Sequence, residues 1–189
     1  AQRRRQELIE AAAELMRENG PLGVSMRSVA NRVGCSLSAM TYYFENSDEL
    51  LNEIGRLNIS RWAGRAEQVA DEAEAAATHA GLDHAVDWLL RATLPAGVSL
   101  FGHYQQLVAA GSSAPVATAY SAGRGRLNRA VGRLLRVLGI NCSAELVIGI
   151  VDGSAVSSLS EGRDVHETAR RLLGEFLACD RQGHLAAQP

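Results

Sequence analysis

Apolar residues recur every three and four positions along most of the chain, the 3.6-residue period of amphipathic helices rather than the alternation of strands. Leu8, Ile9, Ala12, Leu15 and Met16 form the first such stripe, ended by Asn19 and Gly20. Met26, Val29, Ala30 and Val33 form a second, only about two turns long, with Ser25 placed as its N-cap and Gly34 as its stop. After the link Gly34, Cys35, Ser36, a third short helix is predicted from about Leu37 to Phe44. Asn46 then caps a long segment that carries Glu49 at its third helical position, the capping-box arrangement, and Asp48, which favours a helix N-terminus.

That Ala-rich segment runs to about Ala77, and His79 to Leu82 reads as a break. Helices are predicted from Asp83 to Leu94, ended by Pro95 and Gly97, and from Ser99 to Ala110. Gly111 to Ala114 make a loop, and Pro115 starts a long helix to Leu138, closed by Gly139. Ser143 caps a helix to about Glu161, and Asp164 with Glu167 opens a last one to about Asp180. The expected fold class is all-α, with three short helices followed by six longer ones. An N-terminal three-helix domain over 1–46 is expected to carry a helix-turn-helix, and a larger helical domain to fill 47–189.

Composition narrows the chemistry. The chain has 189 residues, 47% of them hydrophobic and 21% charged, a globular balance. Every one of its 19 basic residues is arginine, so Schiff-base enzymes and Walker-type nucleotide hydrolases, which need a lysine, are excluded. A net charge of −2 gives no global basic footprint, although 9 Arg against 8 acids up to Arg65 make the first third +1 and the remainder −3. Cys35, Cys142 and Cys179 are far apart and form no Cys-x-x-Cys pair, which fits a reducing compartment. No N-terminal apolar run and no stretch of about 18 apolar residues is present, so the expected location is the cytoplasm.

Two short helices joined through a glycine-containing turn, Ser25 to Phe44, have the spacing of a helix-turn-helix, whose second helix enters the DNA major groove. At 100° per residue Ser36, Met40 and Phe44 share one side of that second helix, expected to be core, and Ser38, Thr41 and Tyr42 the other. The hydroxyls of Ser38 and Thr41 can bond base edges or phosphates, the Thr41 methyl can meet a thymine methyl, and the Tyr42 hydroxyl can reach a phosphate. The same polar face also fits plain solvation, and spacing alone does not separate the two.

From Arg3 to Leu51 the sequence resembles the N-terminal domain of the tetracycline-repressor (TetR) family of bacterial transcription regulators. The stretches LIEAAAELMRENG, VSMRSVANRVGCS and TYYFENSDELL carry the resemblance, in the family's order and spacing, over about a quarter of the chain. It implies a homodimer on a palindromic double-stranded DNA operator, and a C-terminal domain binding a small-molecule effector that lowers DNA affinity, most often for repression. By position, Ser25, Arg27, Tyr42 and Tyr43 match phosphate-contacting residues, and Ser36, Leu37 and Ser38 the groove-facing start of the reading helix. Leu37 stands where a lysine or another polar residue is frequent, Tyr43 where histidine is common, and Ser47 where a lysine usually meets the phosphate backbone. Fewer cationic contacts should flatten the salt dependence of binding. Arg3, Arg4 and Arg5 restore charge if they form an arm, or are a frayed terminus.

Beyond that region no motif has comparable strength. Trp62, Trp88, Phe101, Tyr104 and Tyr120 are candidates to line an apolar effector cavity between helices, with plain core as the alternative. Leu146, Ile150 and Leu159 on one helix and Leu172, Leu173 and Phe176 on the last form two apolar stripes for dimerisation, with the small Gly149, Gly153 and Ala155 allowing close approach. The resemblance implies that these two helices pair with their mates in a four-helix interface. Arg126, Arg129, Arg133 and Arg136 recur along one helix and read as a solvated face, with Glu67, Asp71, Glu72 and Glu74 as available partners. Gly123 and Gly125 lack the third glycine of a dinucleotide fingerprint, Asn128 standing in its place, and no metalloprotease or nucleophile-elbow motif occurs. His79, His84 and His103 lack metal-ligand spacing, so neither an enzyme nor a cofactor is expected. The other reading is a helical small-molecule-binding dimer without specific DNA binding, motivated by the missing lysines and the negative charge.

Overall fold

A computed structural model describes residues 1–76, 81–95 and 100–186, with side chains up to 179. The helices are α1 (Gln2–Asn19), α2 (Met26–Val33), α3 (Leu37–Tyr43), α4 (Ser47–Ala75), α5 (Leu82–Thr93), α6 (Leu100–Ala109), α7 (Ala114–Val137), α8 (Ala144–Glu161) and α9 (Val165–Ala186). Single 3₁₀ turns, Pro21–Gly23 and Ala110–Ser112, follow α1 and α6. The all-α class holds, with no strand among the described residues. α1 is 18 residues long, so only α2 and α3 are short, and α9 continues past Asp180. The expected break at His79 and the boundaries at Ala77, Gly97 and Ser99 lie outside the described residues.

Helix ends follow the capping chemistry legible in the sequence. Asn46 Oδ1 accepts from the Glu49 amide at 2.9 Å, while the Glu49 carboxylate reaches back to the Glu45 amide at 2.7 Å, one residue before the amide a capping box would use. Ser143 and Asp164 cap α8 and α9 by accepting from Leu146 N and Glu167 N. Gly139, at φ 67°, lets Ile140 N turn back to Leu135 O and stop α7.

By packing the chain falls into two compact units, one of Ala1–Arg61 with Gly97–Gly125, the other of Trp62–Ala96 with Arg126–Pro189. This is a division by contact; the expected boundary at 46/47 is one by role. The first unit's core gathers Leu8, Ile9, Met16, Val29, Met40, Phe44, Leu50 and Ile54 from α1 to α4, with Val116 from α7. In the second, α8 packs on α9, and α5 on both. Its buried residues include Leu89, Leu134, Val151, Leu173 and Leu177. Inside it, Arg126 bonds Glu67 at 2.7 Å and Arg133 bonds Asp71 and Glu74 at 2.6 and 2.7 Å, lacing α7 to α4. Glu72 pairs with Arg91 of α5 instead. These carboxylates partner part of the expected solvated arginine face.

Candidate nucleic-acid interface

Met40 and Phe44 lock α3 onto the first unit's core, being 0% and 1% exposed. Burying two side chains of that size contributes about 1.5–3 kcal/mol each and leaves a seven-residue helix little freedom to roll. α2 is fixed beside it. Ser25 Oγ accepts from Ser28 N at 3.0 Å and Ser28 Oγ accepts from Ser25 N at 2.8 Å, a reciprocal capping box. Arg32 bonds Glu18 at 3.2 Å, tying the last turn of α2 to the end of α1 and holding the Glu18 carboxyl below the usual carboxylate range. Between the helices Gly34 sits at φ 69°, ψ 38°, the left-handed region, and Cys35 N bonds Ala30 O at 2.9 Å.

Leu37, Ser38, Thr41 and Tyr42 are exposed, Tyr42 at 76%, and Tyr43 is half-buried with its ring edge-on to Tyr42 at 4.9 Å. Ser25, Arg27 and Ser47 are also exposed, and Arg27 makes no ion pair with any described residue. Ser36 departs from expectation. Helical angle placed it with Met40 and Phe44 in the core, but it is the exposed N-cap of α3, accepting from Ala39 N at 3.2 Å. A capping residue lies outside the helical frame, so the 100° count does not apply to it.

Arg3, Arg4 and Arg5 all lie in the first turn of α1. Arg5 turns inward, bonding Glu49 at 3.0 Å, reaching Glu53 at 3.4 Å and lying 4.9 Å from the centre of the Phe44 ring. Arg3 and Arg4 share Glu7. Sequence reasoning missed Arg5 because its carboxylate partners lie more than forty residues away.

The five aromatics considered for an effector cavity divide between the two units. In the second, Trp62 is buried with its indole N–H donating to Thr93 O at 3.2 Å, and Trp88 is half-buried under the Arg91 guanidinium at 4.6 Å. In the first, Tyr104 is 2% exposed, edge-on to His103 at 5.0 Å, and Phe101 is 61% exposed and faces solvent. Tyr120 is half-buried; burial pushes its hydroxyl's pKa up, and a hydrogen bond with Asn58 partly offsets this. Asn58 also donates to Gln106 at 3.3 Å, so α4, α6 and α7 share a buried polar cluster that no local pattern announces.

Within the second unit, Gly149, Ile150, Gly153, Ser154, Ser157, Leu172 and Phe176 line a shallow, mainly apolar groove between α8 and α9. Leu146, 45% exposed, belongs to the same helix, and Leu159 is half-buried. Leu173 is a correction to the expected stripe. It is 0% exposed, inside the protomer, as is Ala155, because consecutive residues on a helix lie 100° apart and only Leu172 faces the groove.

A helix-turn-helix with an exposed second helix, on an otherwise helical chain, defines a class of DNA-binding regulators. Residues 8–54 match the family model described as bacterial regulatory proteins, tetR family. A curated relative, the HTH-type transcriptional regulator PksA of Bacillus subtilis (strain 168), is 33% identical over 69 residues, a match spanning 36% of this chain and 34% of the relative. A transcriptional regulator from Saccharomonospora viridis, solved in complex with choline, superposes with a TM-score of 0.72 at 18% identity, covering 94% of this chain and 97% of that one. One from Rhodococcus sp. Rha1 gives 0.70 at 21% identity, covering 95% and 96%. Residues 8–54 are thus similar to the tetR family of bacterial regulatory proteins, and nearly the whole chain shares the fold of these two solved structures. Among the described residues no helix is long and apolar enough to cross a membrane, and no group of three or more His, Cys, Asp or Glu side chains is placed to hold a metal.

Proposed function

We propose that the chain is a ligand-responsive transcriptional regulator, a repressor that binds a palindromic DNA operator as a homodimer in the cytoplasm and is released by a small-molecule effector. The observation that carries this is the α3 face: four exposed side chains on a helix whose opposite side is anchored by Met40 and Phe44. Ser25 and Arg27 at α2, with Tyr42, Tyr43 and Ser47, are the phosphate-facing residues, and Ser36, Leu37, Ser38 and Thr41 face the groove. By role, 1–46 reads DNA and 47–189 senses and dimerises. The groove lined by Ile150, Leu172 and Phe176, with Leu146 and Leu159 on the same helices, is the dimer face. Its exposed Gly149 and Gly153 would each meet nothing within 4 Å on gaining a Cβ, which leaves room for a partner helix.

Trp62, Trp88, Tyr104 and Tyr120 are the effector-facing candidates, with Phe101 at the surface. The Saccharomonospora viridis protein holds choline, a small organic cation, and a small organic molecule is the class of effector we assign to this chain. Release follows if the effector favours a dimer whose reading helices are no longer one DNA turn apart, about 34–36 Å. The test is selection of duplexes from a random pool by the purified protein at low and then physiological salt. A palindrome enriched at both supports the regulator. Retention without sequence preference that vanishes as salt rises refutes it and leaves a small-molecule-binding dimer.

A further inference from the structure

The α3 face is unusual in what it lacks. Leu37–Tyr43 contains no Arg, Lys, Asn or Gln, so no side chain on this helix can make the two-pronged hydrogen bonds that read guanine or adenine in the major groove. The serine and threonine hydroxyls here are bonded within the protein. Ser36 Oγ accepts from Ala39 N and lies 2.9 Å from Ser38 Oγ, and Thr41 Oγ1 donates to Ser38 O at 3.0 Å. That last bond spends the Thr41 donor on the helix backbone and fixes χ1, leaving a methyl group on an exposed residue. Leu37, one turn earlier on the same stripe, is 43% exposed although it is a leucine. Leu37 and Thr41 therefore form an apolar step on a helix that has no fork of donors to offer.

Resting on the regulator reading above, we infer that Leu37 and Thr41 read the operator through the 5-methyl groups of thymines, and that methyl contact rather than hydrogen-bond pattern sets base preference under α3. The major groove offers one apolar group, the thymine methyl, and that is what an isobutyl and a methyl side chain complement. Tyr42, whose hydroxyl extends from the neighbouring stripe, contacts backbone and adds affinity without choosing a base.

The experiment uses the full chain and the palindrome it selects. At each T·A pair of a half-site in turn, thymine is replaced by uracil, or the pair by 5-methylcytosine·guanine or cytosine·guanine, and affinity is read by fluorescence anisotropy at fixed salt. Methyl reading predicts that, at one or more positions under α3, thymine and 5-methylcytosine bind alike and about fourfold tighter than uracil and cytosine, the worth of one buried methyl group. Thr41→Ser, which keeps the hydroxyl, should abolish the thymine-to-uracil difference at its own position, and Thr41→Val, which keeps the methyl, should retain it. Leu37→Ala should abolish it at a second position. If uracil binds as well as thymine everywhere while 5-methylcytosine does not, hydrogen-bond pattern is what is read and the inference is overturned with the regulator intact. If no palindrome is selected at all, the regulator reading fails and takes this one with it.

Discussion

Gly123 meets Ile59 where α7 crosses α4 within the first unit, and the contact is close enough for the sign of a substitution to be worked out. A Cβ built on Gly123 would lie 2.4 Å from Ile59 Cγ2 and 2.7 Å from Cγ1, far inside the ~3.5–4 Å separation at which carbons attract. Ile59 is 4% exposed and branched at Cβ, so in a helix it cannot swing aside. Replacing a mid-helix glycine by alanine ordinarily stabilises by about 0.8–1 kcal/mol. Overpacking costs about 1–3 kcal/mol, and a clash with a stiff side chain belongs at the upper end. Gly123→Ala should therefore destabilise by about 1–2 kcal/mol, lowering Tm by roughly 2–8 °C in a chain of this size. Gly132 in the same helix is the control, since its added Cβ would meet only the flexible Arg136 Nη1 at 3.9 Å, and Gly132→Ala should raise Tm. Thermal melts followed by circular dichroism at one protein concentration decide the matter. Ile59→Ala should also cost less in the Gly123→Ala background than alone, a favourable coupling of about 1 kcal/mol or more. If Gly123→Ala stabilises as much as Gly132→Ala, the close crossing does not exist in solution.

Tyr42→Phe removes one hydroxyl from a 76% exposed side chain, so stability should be unchanged while affinity falls about tenfold on every duplex tested, the worth of a hydrogen bond to a charged phosphate; unchanged affinity would remove that role. Arg126 holds the Glu67 carboxyl, and Arg133 that of Glu74, below the ordinary value of 4.5, so their stabilising contribution is present above that pH and is lost as pH falls through the lower folded values. Glu67→Gln with Glu74→Gln should accordingly lower Tm at pH 7 and converge with the unmodified chain once pH has fallen through those lowered folded values; parallel curves would count against these pairs. In sedimentation, Leu172→Arg should give a folded monomer. Leu173→Ala, which truncates a fully buried side chain, should instead cost about 2–5 kcal/mol of protomer stability.

What the sequence disclosed was what local chemistry controls. Ser25, Asn46, Ser143 and Asp164 announce their helix starts because each cap satisfies an amide three residues on, and Gly34 and Gly139 announce ends because only glycine adopts those positive φ angles freely. The exposed side of α3 was legible as a period, and Ser38, Thr41 and Tyr42 are exposed as that period requires. Ser36 misled because a cap precedes the helix whose angles were counted. Arg5 with Glu49, Asn58 with Gln106 and Gly123 against Ile59 are pairs brought together only by packing, and nothing in their neighbours' sequence marks them. Leu172 and Leu173 show the same limit in small, since one stripe of leucines faces both the groove and the protomer's own core, and packing alone divides it.

The central claim is that sequence preference resides on the exposed side of α3. Its most direct test is duplex selection by the unmodified chain and by one carrying Leu37→Ala, Ser38→Ala, Thr41→Ala and Tyr42→Ala together, four exposed positions whose truncation leaves Met40 and Phe44 in place. With helicity and Tm held, the account predicts that the unmodified chain enriches a palindrome and the variant enriches none. Enrichment of the same palindrome by both would place the reading surface elsewhere and contradict it.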